Sequence, residues 1–478
     1  MQQQDQPRSH GVPRQAGVCA PHGACPFPLR SGSAAVGRLN ESDAARLLDV
    51  IASSHAPSAR DIEQFLGAAV AGALRPEQIG AFLMGIACRG LTRDARGALT
   101  RAFFAGDPEA GRGGEAGGCF FDKHSTGGVG DKLTFIVLPL AAACGVPMRK
   151  LSGGSLRHCR GTIDKLSALP GFRHVDRIDE LTREVEEFGF CIGKTAPDFC
   201  AGDNLTYQLR NLCGAASSPD LIAASIMSKK LALAPKGLVL DVKVGRGSLF
   251  LSAEQARATS RCMLDIATDH DLPMHLLLTN MDAPLGRAIG GAAEVIEAID
   301  VLAGRESDED IRELSLALTA PLVEMSDGCS QQSALAKVLR ALTSGDALQL
   351  FTAWLTHRGA DLAALPQEGH TQCVFHASQE GWIADMDPQL LGALSGDLAR
   401  RSGYPGAGDI RLFHTIGDRI ERGTAIVGIN IAADHNDAGR DRLMAAIHVS
   451  ETAPDHRRSR IIDVLQTGSS RTKEGRNA

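Results

Sequence analysis

Asp122-Lys123-His124-Ser125-Thr126-Gly127-Gly128-Val129-Gly130-Asp131 follows the apolar run Cys119-Phe120-Phe121 and leads into a long apolar stretch that ends at Cys144-Gly145. A strand that enters three glycines and then a helix presents free backbone N–H groups at the positive end of the helix dipole. Lys123, Ser125 and Thr126 stand beside those groups. The pattern reads as a cradle for a phosphate group.

Glycines also mark ordinary tight turns, and a bare Gly-Gly-x-Gly does not separate the two readings. No Gly-Lys-Ser/Thr closes the loop at the Walker spacing, and the dinucleotide pattern Gly-x-Gly-x-x-Gly is absent from it. The weight comes from the crowd of donors: a lysine, a histidine and two hydroxyls in one turn.

Outward from the loop, the chain changes character several times. Residues 1–38 mix Gln, Pro, Arg, Ser and Gly without periodicity and read as a disordered extension. Order is expected from Asn40. Ser58 with Asp61 forms a capping pair ahead of Ile62, Phe65, Leu66, Ala69 and Val70 on one helical face. Pro76 suits a first helical turn before Ile79, Phe82, Leu83 and Ile86, Gly90 ends that run, and Thr92 opens a further helix through Phe104. The glycine-rich stretch 105–118 reads as a flexible connection or an idle surface loop. After it, Leu238–Val244 and Leu276-Leu277-Leu278 read as strands of a mostly parallel sheet with helices between them. Thr415–Ile426 reads as a strand-turn-strand hairpin. A lipoyl or biotinyl carrier would place a lysine at its tip; none stands there, so the region reads as a structural subdomain. The residues from Thr467 onward are polar and read as frayed.

The composition excludes several function classes. A chain of 478 residues accommodates two or three domains. The formal charge is −6 with scattered lysines and arginines, so the basic stripe of a nucleic-acid binder is missing. With two Trp and two Tyr there is little to stack single-stranded bases. No apolar run reaches the length of a membrane span and the first residues lack the apolar core of a secretory signal, so a cytoplasmic protein without membrane or nucleic-acid partners is expected. The twelve cysteines are spread singly, with no Cys-x-x-Cys pair, and read as small buried hydrophobes.

The run Asp122 to Asp131 resembles the signature of the thymidine and pyrimidine-nucleoside phosphorylases. Further segments of that family follow in order: Leu151-Ser152-Gly153, Gly161-Thr162-Ile163-Asp164-Lys165-Leu166, Ala224-Ser225-Ile226-Met227-Ser228-Lys229-Lys230-Leu231-Ala232 and Asp241-Val242-Lys243-Val244-Gly245. The likeness spans roughly residues 40 to 450. It implies an α/β protein: a small all-helical domain (40–105 and 203–233), a large mostly parallel α/β phosphate-binding domain (118–195 and 236–365), a C-terminal α+β subdomain (366–450) and a tail (451–478). The site would lie between the helical and α/β domains, and the protein would form a homodimer.

The same resemblance assigns roles. Lys123, Ser125, Thr134, Lys150, Ser152 and Thr162 would bind phosphate; Arg210, Ser225 and Lys229 would bind the base; and His124, Arg210 and Lys229 would be catalytic. An arginine fork and a lysine charge suit base carbonyl oxygens, and Ser225 meets Lys229 at i and i+4 on one helical face. His124 is the proton donor or polarising group, since its ordinary pKa lies near working pH. The reaction implied is phosphorolysis of uridine, thymidine or deoxyuridine at C1′ with inversion, giving the free pyrimidine and an α-pentose 1-phosphate. Phosphate is the co-substrate and no cofactor is required. A structural potassium ion, as in some relatives, would lie on Leu285, Ala288 and Glu297.

One segment departs from the family. Relatives carry Ser-Gly-Arg-Gly-Leu-Gly-His-Thr-Gly-Gly-Thr where this chain reads Ser152-Gly153-Gly154-Ser155-Leu156-Arg157-His158-Cys159-Arg160-Gly161-Thr162. Arg157 and Arg160 replace glycines, and Gly154 replaces an arginine. Gln208-Leu209-Arg210-Asn211 likewise stands where Ala-Thr-Arg-Asp is usual. Drift with ordinary activity and a shifted specificity, for instance toward a 5′-modified nucleoside, both account for this. An anthranilate-type phosphoribosyltransferase and an inactive binding homologue are the remaining readings; retention of Lys123, His124, Arg210 and Lys229 speaks against them.

Overall fold

The computed structural model describes residues 39–468 apart from 54, 106–119, 155–158, 197–198, 306–307, 366–372, 403–406, 431–435 and 455–458. The expectations for the N-terminal extension, the glycine-rich connection and Arg157 therefore fall outside the described residues.

Local capping sets the first helices. In α1 (Glu41–Ala52) Asn40 accepts from the Asp43 amide at 3.0 Å, and in α2 (Ala59–Val70) Ser58 and Asp61 cap each other. Pro76 opens α3 (Pro76–Arg89), Gly90 closes it at φ +70°, and Thr92 caps α4 (Arg93–Phe104). Each such cap is worth about 1 kcal/mol, and it is their shared apolar face that makes them a domain. Phe65 and Phe82 stack at 4.0 Å within a core that also holds Leu83, Ile86 and Phe103.

After β1 (Asp122–Ser125) the chain alternates through α5 (Thr134–Ala143), β2 (Met148–Ser152), α6 (Thr162–Ser167), α7 (Ile178–Phe188) and β3 (Phe190–Lys194). It then crosses to the helical domain as α8 (Ala201–Leu212) and α9 (Pro219–Leu233), and returns as β4 (Leu238–Val244), α10 (Ala253–Asp269) and β5 (Met274–Asn280). The strand β6 (Ala288–Ile289) and the helices α11 (Ala292–Leu302), α12 (Glu309–Asp327), α13 (Gln331–Ser344) and α14 (Asp346–His357) complete the α/β part. The large sheet runs β1-β4-β5, all parallel, and the parallel pair β2-β3 joins it through a bridge from Phe121 to Met148.

Helix α9 is the seam. Leu221 and Ala224 belong to the helical core, whereas Ile222, Ala223 and Met227 pack with β4, β5 and α10, so the helix contributes apolar side chains to two cores at once. Arg96 of α4 reinforces the seam with ion pairs to Asp220 at 2.6 Å and Asp265 at 3.0 Å.

The C-terminal region corrects two expectations. It comprises β7 (Cys373–His376), β8 (Gly381–Met386), α15 (Pro388–Ser402), β9 (Ile410–Leu412), β10 (Arg419–Ile420), β11 (Ala425–Ile429), α16 (Asn436–Ala445) and β12 (Ile447–Ser450). The expected hairpin over 415–426 is absent: β10 pairs with β8, β11 pairs with β7 and β9, and the intervening turn passes between two sheets. The stretch 451–478, expected to be a tail, contains β13 (Ile461–Gln466), which pairs antiparallel with β5 and closes that edge of the large sheet. None of its residues is fully buried and Val464 is exposed, so no buried alternation marks the strand in the sequence.

Candidate active site

The loop after β1 is held open by its surroundings. Gly127 and Gly130 sit at φ +86° and +80°, a conformation that favours glycine, and a side chain at Gly130 would collide with the Leu285 carbonyl. The Thr126 amide donates to the Asp241 carbonyl at 3.0 Å, and the Thr126 hydroxyl accepts from the Lys243 amide at 2.9 Å. Ser125 donates to the Asp131 carboxylate at 2.5 Å and accepts from the Gly127 amide at 3.2 Å. Ser125 thus shapes the loop, with its proton committed inside it.

An unusual number of lysines is buried here. Lys230 of α9 pairs with Asp122 at 2.7 Å, Lys243 with Asp241 at 2.7 Å and Lys165 of α6 with Glu294 at 2.6 Å. Buried ammonium groups need such partners. Lys123 and Lys150 are the exceptions: Lys123 donates to the Thr134 hydroxyl at 3.4 Å and Lys150 to the Lys123 carbonyl at 2.7 Å, and the described residues place no carboxylate within ion-pair reach of either. Burial lowers the pKa of Lys123, and burial followed by the charge of Lys230 pushes Lys150 well below the ordinary lysine value. Both groups are built to gain from an anion.

Asp131 balances the field. Burial acts to raise its pKa, but Lys243, Lys123 and Lys165 outweigh that and hold its carboxyl well below the usual range. Lys165 also donates to the Asp131 carbonyl at 2.7 Å, which ties α6, and Thr162 at its first turn, to the loop. Gly161 lies directly against Gly153 and Gly154, so the Ser152 strand end and the start of α6 abut. Lys123, Ser125, Thr134, Lys150, Ser152 and Thr162 are in this way gathered around one loop.

The base-side residues lie on α8 and α9. Arg210 donates to the Leu221 carbonyl at 2.9 Å, lies 4.8 Å from the Tyr207 ring centre, and has a buried Nε with no acceptor among the described residues. Lys229 pairs with Asp203 and reaches the Ser225 carbonyl at 3.2 Å, so Ser225 and Lys229 share the helical face expected of them. Asp203, fully buried, escaped the sequence reading; its signal was its place one heptad before Arg210 on the same helix.

His124 connects the two groups. Burial first, then Lys230, Lys150, Lys123 and Lys229, drive its pKa well below the ordinary value, so the imidazole is neutral at neutral pH. Such a ring can polarise a neighbouring carbonyl through its N–H.

The potassium expectation does not fit. Leu285, Ala288 and Glu297 do converge, but on the ammonium of Lys132, at 2.7, 2.9 and 2.5 Å. The three acceptors already hold a positive charge supplied by the chain.

In the altered loop Arg160 faces Asp409 of the C-terminal subdomain, 3.5 Å away. Asp409 also accepts from the Gly291 and Ala293 amides, and burial pushes its pKa up to about 6.

Comparison with known proteins places this geometry. Residues 117–348 match the model of a glycosyl transferase family a/b domain, and residues 45–105 that of the same family's helical bundle domain. Pyrimidine-nucleoside phosphorylases of Staphylococcus aureus, that of strain COL among them, are 33% identical over 428 residues, covering 86% of this chain and 97% of theirs. Among solved structures, anthranilate phosphoribosyltransferase from Thermus thermophilus superposes with a TM-score of 0.50 at 16% identity over 65% of this chain and 98% of its own, a likeness of fold alone. No described helix is long and apolar enough to cross a membrane. The chain is an enzyme of the thymidine and pyrimidine-nucleoside phosphorylase family, to which it belongs through both its helical and its α/β domain.

Proposed function

We propose that the enzyme cleaves uridine, thymidine or deoxyuridine with inorganic phosphate, releasing the pyrimidine and an α-pentose 1-phosphate with inversion at C1′. The observation that carries this reading is the Lys230–Asp122 ion pair at 2.7 Å, which sets α9, with Lys229, against the strand that carries Lys123 and His124. The strand side suits an anion, the helix side a base that departs with extra electrons.

Lys123 and Lys150 orient phosphate below the sugar, where its oxygen forms the new bond to C1′ as the C1′–N1 bond breaks. The bond electrons pass into the pyrimidine, where Arg210 and Lys229 attract them at the carbonyl oxygens. Arg210 Nε supports this role, since a buried donor without an acceptor costs about 1–3 kcal/mol that a base oxygen would recover. His124 offers a neutral N–H to the same base. The displacement calls for no metal. Ser152 and Thr162 complete the phosphate contacts, the enzyme is a homodimer, and it works in the cytoplasm.

A second reading, specificity for a 5′-modified or otherwise unusual pyrimidine nucleoside, is favoured by Arg160. Its guanidinium faces Asp409 at 3.5 Å from a position six residues beyond Gly154, where the family's arginine would stand. The deciding experiment measures base release from uridine, thymidine, deoxyuridine and 5′-modified analogues with and without phosphate. Release from the unmodified set supports the first reading, release from analogues alone the second. If every nucleoside stays intact with phosphate or arsenate present, neither survives.

A further inference from the structure

The contacts of Lys132 carry a consequence beyond the reaction. Its side chain is fully buried, and its ammonium has three N–H groups and three acceptors: the Leu285 carbonyl at 2.7 Å, the Ala288 carbonyl at 2.9 Å and Glu297 Oε2 at 2.5 Å. Glu297 is itself filled, taking the Arg287 amide on Oε1 at 2.7 Å and the Ala288 amide on Oε2 at 2.8 Å. The turn wraps the ammonium closely: Gly286 lies at φ +74°, and a Cβ there would fall 2.8 Å from Lys132 Nζ and 2.7 Å from Glu297 Oε1. Two carbonyl oxygens and a carboxylate converging on one point make a set of ligands for a hard monovalent cation. A metal ion has no room beside the ammonium, and it would add a second positive charge against one carboxylate in a buried place.

We propose that Lys132 is a built-in monovalent cation, which replaces a bound potassium ion and makes the phosphate loop of this enzyme indifferent to potassium. The link to the loop is direct. Lys132 follows Asp131 in the chain, the Leu285 amide donates to the Val129 carbonyl at 3.1 Å, and Gly130 abuts the Leu285 carbonyl. The tether therefore fixes the exit of the loop that carries Lys123 and Ser125, and a covalently attached cation neither dissociates nor competes with sodium.

The test exchanges potassium chloride for choline chloride at constant ionic strength and follows the thermal unfolding midpoint and the rate of phosphorolysis. Wild type is expected to show the same midpoint and rate in both salts. In Lys132→Ser, which leaves the oxygens and opens space, the midpoint in choline should fall by roughly 5 °C or more. Potassium should restore most of that loss and raise the phosphorolysis rate about tenfold over choline. Lys132→Met fills the space with an apolar chain and should be destabilised in both salts alike. A wild-type midpoint that rises with potassium in preference to choline overturns the proposal, as does a folded Lys132→Ser that ignores potassium. Should the serine variant fail to fold, the wild-type comparison decides alone. The midpoint needs no substrate, so this result stands or falls apart from the phosphorolysis reading.

Discussion

The phosphate side and the base side of the site are constructed on opposite principles. Around β1 and β4 the buried charges come in pairs, Lys230 of α9 with Asp122 of β1 and Lys243 with Asp241 on β4 itself, and the surplus rests on Lys123 and Lys150. On α8 and α9 the two cationic groups each hold a partner on the other helix: Lys229 holds Asp203, and Arg210 the Leu221 carbonyl. The sheet stores a standing positive field for an anion. The helices hold two groups that must exchange an internal partner for a ligand.

The hardest test of that contrast is Lys123→Ala. The lysine is one of two surplus charges, so its loss should lower kcat/KM by about a thousandfold, with the circular-dichroism spectrum and unfolding midpoint nearly unchanged. A loss under tenfold would mean that the sheet side does not hold the phosphate.

On the helical side, Lys229→Ala and Arg210→Ala should each cost about a hundredfold in kcat/KM for the nucleoside while moving the KM for phosphate little. Equal effects on both substrates would erase the division between the two sides. Lys229→Ala also strands Asp203, so it should lower the unfolding midpoint as well, which calorimetry would register.

The pH dependence of phosphate binding sharpens the comparison at a smaller scale. Burial and Lys230 hold the Lys150 pKa well below its ordinary value, and a bound phosphate favours the charged form. Affinity is greatest while Lys150 keeps its proton, and it falls as pH rises through the depressed pKa by up to about tenfold per unit. Initial rates at several pH values should show the KM for phosphate rising with pH in wild type and a flatter profile in Lys150→Met. His124, already neutral, should add no acid limb of its own to the kcat profile near its ordinary pKa of about 6.5.

The smallest effect is expected for Ser125→Ala. Its hydroxyl is spent on Asp131, so a severalfold change in KM for phosphate from a looser loop is expected, corresponding to about 1 kcal/mol. A hundredfold loss would show instead that Ser125 turns toward the phosphate.

What the sequence disclosed and what it hid divide along contact distance. The helix starts at Ser58 and Thr92, the break at Gly90 and the strands around Val239 and Leu277 are decided within a few residues, and expectation and structure agree there. The family segments marked the glycine loop and the lysines around it. The partners of those lysines were not legible, since Lys230 meets Asp122 from 108 residues away and Lys132 meets Glu297 from 165. Leu285, Ala288 and Glu297 do converge, but on the ammonium of Lys132, to which the sequence motifs assign no role. Residues 415–426 were misread for a related reason: turn chemistry signals a reversal of the chain and is silent on which sheet receives the second strand.

The last strand gives the carboxyl end of the chain a duty unlike that of a fringe. β13 shields the hydrogen-bonding rim of β5, and just before it Arg460 donates to the carbonyls of Asn280, Ala283 and Pro284, leading straight into the Leu285 turn. Trimming back through residues 461–466, or a stop before them, would uncover Leu276, Leu277 and Leu278 as a sticky ledge and invite chain-to-chain stacking. It would also slacken the far end of the lysine tether, so damage at the terminus would be felt at the catalytic loop.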